Sequence, residues 1–365
     1  MDPLTHILLG ATTAQFTARR RVGRDATWVA AITADLADLD VAFPTLMALA
    51  GGDPQSLPRW MAHRGLTHSL FMVPVLALLA AAVWWLARRA ILRPRSGEPN
   101  ALASPPRPRF ARLAWATCIA ALTHPLLDFC TSYGTQLLSP FSSQRFAADA
   151  VGIMDLFVTS LLALALPIYW LVRRRRPGAA PGRVALAVLA LLVAYLGAGR
   201  ILHDRAVDKA RDAVGNETVL SAEAYPALGS IFLWRTVVET DIRWHVMRVH
   251  FLAPPGRELR AAKPVDKPLE DHWYALAHAT PQVADFAWFS SRPLRWESLR
   301  RNGLHVVTFH DMRYSWPLDG IEGLWSFEVA LDDAGEILDA RQIHRVPSNH
   351  RKEMFSEVWH ELWNP

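Results

Sequence analysis

Four apolar runs, residues 69–87, 113–129, 156–172 and 184–199, are each about as long as a helix needs to be to cross a hydrocarbon core of roughly 30 Å. They constrain the chain more than any other feature. Two weaker runs precede them, 4–18 and 26–50, interrupted by His6 and by the carboxylates of ADLADLD. Arginine then suggests the topology. Sixteen arginines fill the three connections 19–24, 88–112 and 173–183, against Arg59, Arg64 and Arg145 in the other two. An excess of that size marks cytoplasmic loops. All six runs must cross to satisfy it, with the N-terminus outside and everything after residue 199 outside again. Asp2 ahead of the first apolar stretch, and the arginine cluster after it, argue against a cleaved secretory signal.

Hydrophobic residues make up 51% of the chain and charged ones 20%, too apolar for an ordinary soluble enzyme and too polar for a protein that is membrane throughout. The expected fold is therefore a multi-pass α-helical membrane domain of about six spans, residues 1–200, followed by a soluble extracytoplasmic α+β domain, 201–365. The net charge of +5 comes mostly from arginines flanking the apolar runs. This favours membrane topology over nucleic-acid binding, and no nucleic-acid partner is expected. On one helix Cys118 and Cys130 would lie about 18 Å apart, too far for a disulfide.

In the C-terminal part, LWRTVVETDIRWHVMRVHFL, NGLHVVTFHDMRYSW and GLWSFEVALDDAGEILDARQIHR alternate apolar and polar positions between Gly, Asp and Pro breaks, the pattern of antiparallel strands. DHWYALAHATPQVADFAWFS has longer spacing and reads as helical.

Polar residues inside or beside the apolar runs all fall toward the outer face: His6, Asp38, Asp40, His63, His68, His124 and Asp128. Ionisable groups at such depth are costly, and they face a protein interior or wet cavity where they pair, ligate or react. His124 and Asp128, in LTHPLLDF, stand at i and i+4 on one helical face and can meet one metal or orient one another. Asp38 and Asp40 would diverge on a regular helix and can both serve only where the helix loosens. In HRGLTHS, Gly65 permits a tight turn, Thr67 can cap the next helix, and the turn lets His63 and His68 converge. Carboxylates mixed with imidazoles are what Zn²⁺, Mn²⁺ or Fe²⁺ sites use, and a divalent metal, zinc first, is the expected cofactor. Arg64 and Arg145 are the outer-face cations placed to hold a phosphate. Asp155 opens the fifth run on the same face, as a further ligand, a proton acceptor or, foremost, an N-cap.

The order MDPLTH, DLD, HRGLTHS and HPLLDFCTSYGTQLLSPFSSQRF resembles the YdjM-like family of inner-membrane proteins, described as metal-dependent hydrolases. The resemblance covers about residues 1–172, and the tail also looks like the extension of longer members. Most members carry proline before the first aspartate of the pair, where this chain has Ala37. More distantly, the order of histidines and aspartates is similar to that of zinc-dependent phospholipase C and related nucleases, a likeness that implies an N-terminal amine ligand. These resemblances imply a bacterial inner-membrane metal-dependent hydrolase; the site residues themselves suggest Asp40, His68 and Asp155 in catalytic roles, and a site at this depth suits a phosphodiester or ester of a membrane lipid or lipid-linked substrate. A metal-binding transporter, or a non-enzymatic membrane protein regulated by a partner, is the alternative. Against transport, the polar constellation stays on one face and the last three runs offer no charge relay across the membrane.

Overall fold

Asp2 begins the first helix: its carboxylate accepts from the Thr5 backbone N–H at 3.0 Å and the Thr5 hydroxyl at 2.6 Å, and Pro3, with no N–H to lose, takes the first turn. This is α1, Pro3–Thr17, in a computed structural model that describes residues 1–52, 57–91, 109–175, 182–261, 263–292, 294–344, 356 and 358–362. There follow α2 (Arg19–Val22), α3 (Asp25–Thr33), a 3-10 stretch Leu36–Ala42, α4 (Phe43–Leu49), and short 3-10 turns at Arg59–Met61 and Leu66–His68. Next come α5 (Met72–Ile91), α6 (Phe110–Phe129), α7 (Leu156–Arg175) and α8 (Gly182–Ala213).

Among the described residues α5 to α8 are the four helices long and apolar enough to cross a membrane. Their outward apolar side chains, such as Leu79 on α5, Leu164 on α7 and Val193 on α8, are exposed, as lipid-facing positions are. The two N-terminal runs, expected as further spans, form shorter pieces. At a rise of ~1.5 Å per residue α1 is only about 22 Å long, and the 26–50 run divides into α3, the 3-10 stretch and α4.

The chain divides into two compact units, residues 1–147 with 156–195, and residues 148–155 with 196–365. In the first, small residues allow close helix approach. Ala14, Ala18, Ala26, Ala30, Ala34 and Ala120 form one buried cluster between α1, α3 and α6. At Gly10 the packing is tighter still, since a Cβ there would meet the Ala30 carbonyl oxygen at 2.6 Å and the Ala34 Cβ at 2.5 Å.

Several contacts collect the arginine-bearing helix ends of this unit. Arg88 near the end of α5 pairs with Asp25 at the start of α3 at 2.9 Å. Arg24, Arg173 and Arg174 line one groove with Arg19. Gly182, at the start of α8, lies against the backbone of Gln15 and Phe16.

The second unit holds two antiparallel sheets. One is β1 (Val219–Pro226), β2 (Leu233–Thr240), β3 (Arg243–His250) and β4 (Leu259–Ala261), with β5 (Val265–Asp266) also on β3. The other is β6 (Arg295–Arg301), β7 (Leu304–His310), β8 (Trp325–Leu331) and β9 (Ile337–His344). The segment expected to be helical forms α9 (His272–His278) and α10 (Pro281–Ser290), each N-capped, by Asp271 and Thr280. The break between them falls at Thr280-Pro281, where proline can begin a helix but not continue one. Val283 and Phe286 of α10 join Trp296, Val307, Phe309 and Val329 in the core on the second sheet.

Candidate metal centre

His124 sits one turn before the end of α6, and its Nδ1 is 2.6 Å from the carbonyl oxygen of Ala34, just past α3. A carbonyl only accepts, so Nδ1 carries the proton and the Nε2 of neutral His124 is a bare lone pair. His68 is fixed in the same sense. The Thr67 hydroxyl gives its one proton to Asp40 Oδ2 at 2.7 Å, so its 3.0 Å contact with His68 Nδ1 is made by the Nδ1 proton, with Asp40 Oδ2 also 3.2 Å away. His68 Nε2 is bare as well, and it lies 3.0 Å from His124 Nε2.

Two carboxylate oxygens complete the cluster. Asp38 Oδ1 is 3.1 Å from His68 Nε2 and 3.4 Å from His124 Nε2. Asp128 Oδ2 is 3.4 and 3.5 Å from the same two nitrogens. All four side chains are buried or nearly so, and Asp128 Oδ2 has no hydrogen-bond partner. Four electron pairs converging without a proton between them repel one another unless a cation lies among them. Ligand bonds of about 2.0–2.1 Å in a tetrahedral zinc site place neighbouring ligand atoms roughly 3.3–3.4 Å apart, close to the 3.0–3.5 Å separations here. Each imidazole also donates its other N–H to an oxygen, the arrangement that orients metal-ligating histidines. The residues therefore fit a divalent metal.

Asp38 and Asp40 both reach His68, from opposite edges of its ring, because the chain over Leu36–Ala42 is a 3-10 turn and not an α-helix. Asp40 belongs to a second group with His63 and His68. Its oxygens receive His63 Nδ1 at 2.7 Å, the Thr67 hydroxyl and the Arg64 backbone N–H at 3.2 Å. Thr67 is thus spent on Asp40. The helix-capping role falls to Ser69, whose hydroxyl accepts from the Met72 N–H at 3.2 Å.

His6 lies at the edge of the cluster, stacked on His124 with centroids 3.7 Å apart and its Nε2 3.2 Å from Asp128 Oδ1. The Met1 amino nitrogen also bonds Asp128 Oδ1. Arg64 is buried with its Nε 3.2 Å from Asp128 Oδ2, its Nη1 donating to the Thr131 hydroxyl at 2.7 Å, and its guanidinium over the Tyr133 ring at 4.6 Å. The left-handed backbone of this turn falls on Arg64, φ 63°, and not on Gly65. That conformation costs a non-glycine residue roughly 1–2 kcal/mol, offset by the Asp40 and Asp128 contacts. Arg145 donates to the carbonyls of Tyr133 and Gly134 at 3.1 and 2.8 Å, tying down the loop after α6.

Asp155 is in the second unit, where it is buried and its backbone bridges Gly229. It is not among the grouped ligands. Sequence reasoning missed Ala34, whose contribution is a backbone carbonyl, and Thr67 as a support of Asp40.

A family profile described as YdjM inner membrane protein matches residues 1–206. The chain is also similar to "Uncharacterized protein YfhP" of Bacillus subtilis (strain 168), 26% identical over 257 residues that cover 69% of this chain and 68% of that protein. No solved structure matches the chain.

Proposed function

From the premise that this chain belongs to the YdjM inner membrane protein family, we propose that it is a membrane-bound metal-dependent hydrolase cleaving a phosphodiester or ester of a lipid or lipid-linked substrate. One observation carries this: the bare Nε2 atoms of His68 and His124 meet Asp38 and the buried Oδ2 of Asp128 in one cluster. Asp38, His68, His124 and Asp128 would hold the ion, with His6 beside them. A divalent ion there supplies Lewis acidity, bringing the pKa of water toward 7 and offsetting charge on a scissile oxygen.

The chain's own groups do the rest. His63 is the open member, its side chain 31% exposed and its Nδ1–H donated to Asp40, which leaves Nε2 as a free acceptor. Asp40 positions His68 and His63 together. Arg64 places a guanidinium beside Asp128, where a planar cation can pair with a phosphoryl group.

Arginine asymmetry assigns the arginine-bearing helix ends to the cytoplasm, the cluster to the outer face of the bacterial inner membrane, and the C-terminal domain to the extracytoplasmic side. In that placement a substrate reaches the site from the headgroup layer of the outer face. The test is hydrolysis without a gradient. Zn²⁺- or Mn²⁺-loaded protein in lipid discs should cleave a member of a phosphodiester and ester lipid panel. Ion accumulation in sealed vesicles, with no cleavage across the panel, would favour a transporter.

A further inference from the structure

A groove of about 800 Å³ runs between α1, α3 and α7 of the first unit, a volume in the range of small-molecule sites. Its walls are apolar, with Ile7, Leu8 and Ala11 from α1, Ala31 from α3 and Leu166 from α7. Its mouth is not. Arg19, Arg24, Arg173 and Arg174 converge there from three elements, and among the described residues none of the four pairs with a carboxylate. The nearby Asp25 is engaged by Arg88. Arg19 is within electrostatic reach of Arg24, Arg173 and Tyr169 and donates to the Gly23 carbonyl at 3.0 Å. Four cations beside one another without a counter-ion call for an anion.

Two further observations define that anion. Gln15 lines the groove and is 8% exposed; its Nε2 donates to the Thr27 hydroxyl at 2.7 Å, while its Oε1 is buried with no hydrogen-bond partner. That oxygen is closed off from solvent, so it takes a ligand donor once the amide turns toward the groove. Trp28 and Trp170 line the groove within about one turn of the arginines, and Trp84 and Trp85 occupy the corresponding level of α5. Tryptophans beside arginines mark the depth of lipid headgroups.

We propose that this groove binds one anionic glycerophospholipid, its phosphate among Arg19, Arg24, Arg173 and Arg174, a headgroup hydroxyl on Gln15 Oε1, and an acyl chain along the apolar wall. Basic pockets between membrane helices on the arginine-rich side suit such headgroups. The site shares no residue with the His/Asp cluster and stands whether or not the protein is a hydrolase.

The experiment titrates full-length protein in dodecyl maltoside with dioctanoyl phosphatidylglycerol, dioctanoyl phosphatidylcholine, dioctanoyl phosphatidylmethanol and inorganic phosphate, counting adducts by native mass spectrometry. One phosphatidylglycerol should bind about tenfold or more tightly than phosphatidylcholine, and Arg19→Gln and Arg173→Gln should each weaken it about fivefold. Leu8→Trp narrows the apolar wall with every arginine intact and should weaken lipid binding without weakening that of inorganic phosphate. Gln15→Leu leaves all charges and should weaken phosphatidylglycerol but not phosphatidylmethanol, which lacks the hydroxyl. Arg89→Gln, near the end of α5 and outside the groove lining, should change nothing. An unchanged melting temperature reports that each variant is folded. Equal binding of phosphatidylcholine, equal loss in Arg89→Gln, or inorganic phosphate displacing the lipid while Leu8→Trp binds normally would each overturn the proposal, the last in favour of a free-anion site.

Discussion

His68 and His124 bring their Nε2 atoms to 3.0 Å, and as neutral rings they have no proton to share there, because each has committed its Nδ1–H elsewhere. The two rings reach this position from a 3-10 turn and a helix 56 residues apart in sequence. A cation among the four ligand atoms relieves the arrangement, and several measurable consequences follow from its geometry.

His124→Ala and Asp128→Ala each remove one member of the cluster. Bound metal, measured by elemental analysis and competition titration, should fall in affinity by about tenfold or more. Arg173→Ala, in the arginine-bearing last turn of α7, should leave it unchanged. Unaltered affinity in both ligand variants would place the metal elsewhere.

Asp40→Asn keeps the size of the side chain but removes the charge that holds His63 and His68. Turnover should drop about 10- to 100-fold, with expression preserved and metal stoichiometry less affected than in His124→Ala. If turnover survives intact, Asp40 has no positioning role.

Gly10→Ala drives a Cβ into the Ala30 carbonyl at the closest point between α1 and α3. The helices must separate, and the Ala34 carbonyl moves off His124. Thermal stability should fall by about 1–3 kcal/mol, and metal affinity should weaken with it although no ligand is altered. Retained stability with retained affinity would show that α1 and α3 have slack here.

Topology is checked by reporters fused after Arg176 and after Pro365. The first should report cytoplasm and the second the extracytoplasmic side. A cytoplasmic C-terminus would overturn the placement of the cluster at the outer face.

In the C-terminal domain, His310 at 3.4 Å and the Arg295 guanidinium at 2.9 Å hold the Glu297 carboxyl down at about 2, below its ordinary 4.5. A carboxyl depressed on folding stabilises the fold above its unfolded pKa and loses that contribution as pH falls through the folded value. Glu297→Gln should therefore lower the melting temperature, followed by tryptophan fluorescence, at pH 6 and converge with the parent protein near pH 2. A difference that persists undiminished to pH 2 would assign the effect to packing.

The four long helices were legible because length and hydropathy suffice to define a span, and His124 and Asp128 because i and i+4 share a face on any helix. The runs at α1 and α3 were read as full-length spans because hydropathy does not register where a helix stops; the helices themselves are 15 and 9 residues long. The 26–50 run changes to a 3-10 turn after Thr33, in the stretch that carries Asp35, Asp38 and Asp40. That same turn is what lets Asp38 and Asp40 grip one ring. Gly65 drew attention as the residue built for a tight turn, yet two carboxylates hold Arg64 in the left-handed conformation. Residue-type preference cannot anticipate a conformation imposed by distant partners.

The two imidazoles of the cluster differ in how their tautomers are inherited. His68 depends on the side chains of Asp40 and Thr67, so a single codon change can unset it. His124 depends on the main-chain oxygen of Ala34, which every amino acid possesses. What selection must guard at position 34 is smallness, because the Ala34 Cβ packs against Gly10. Mutational drift should therefore disable the centre through the 40–68 side long before it reaches the 34–124 side.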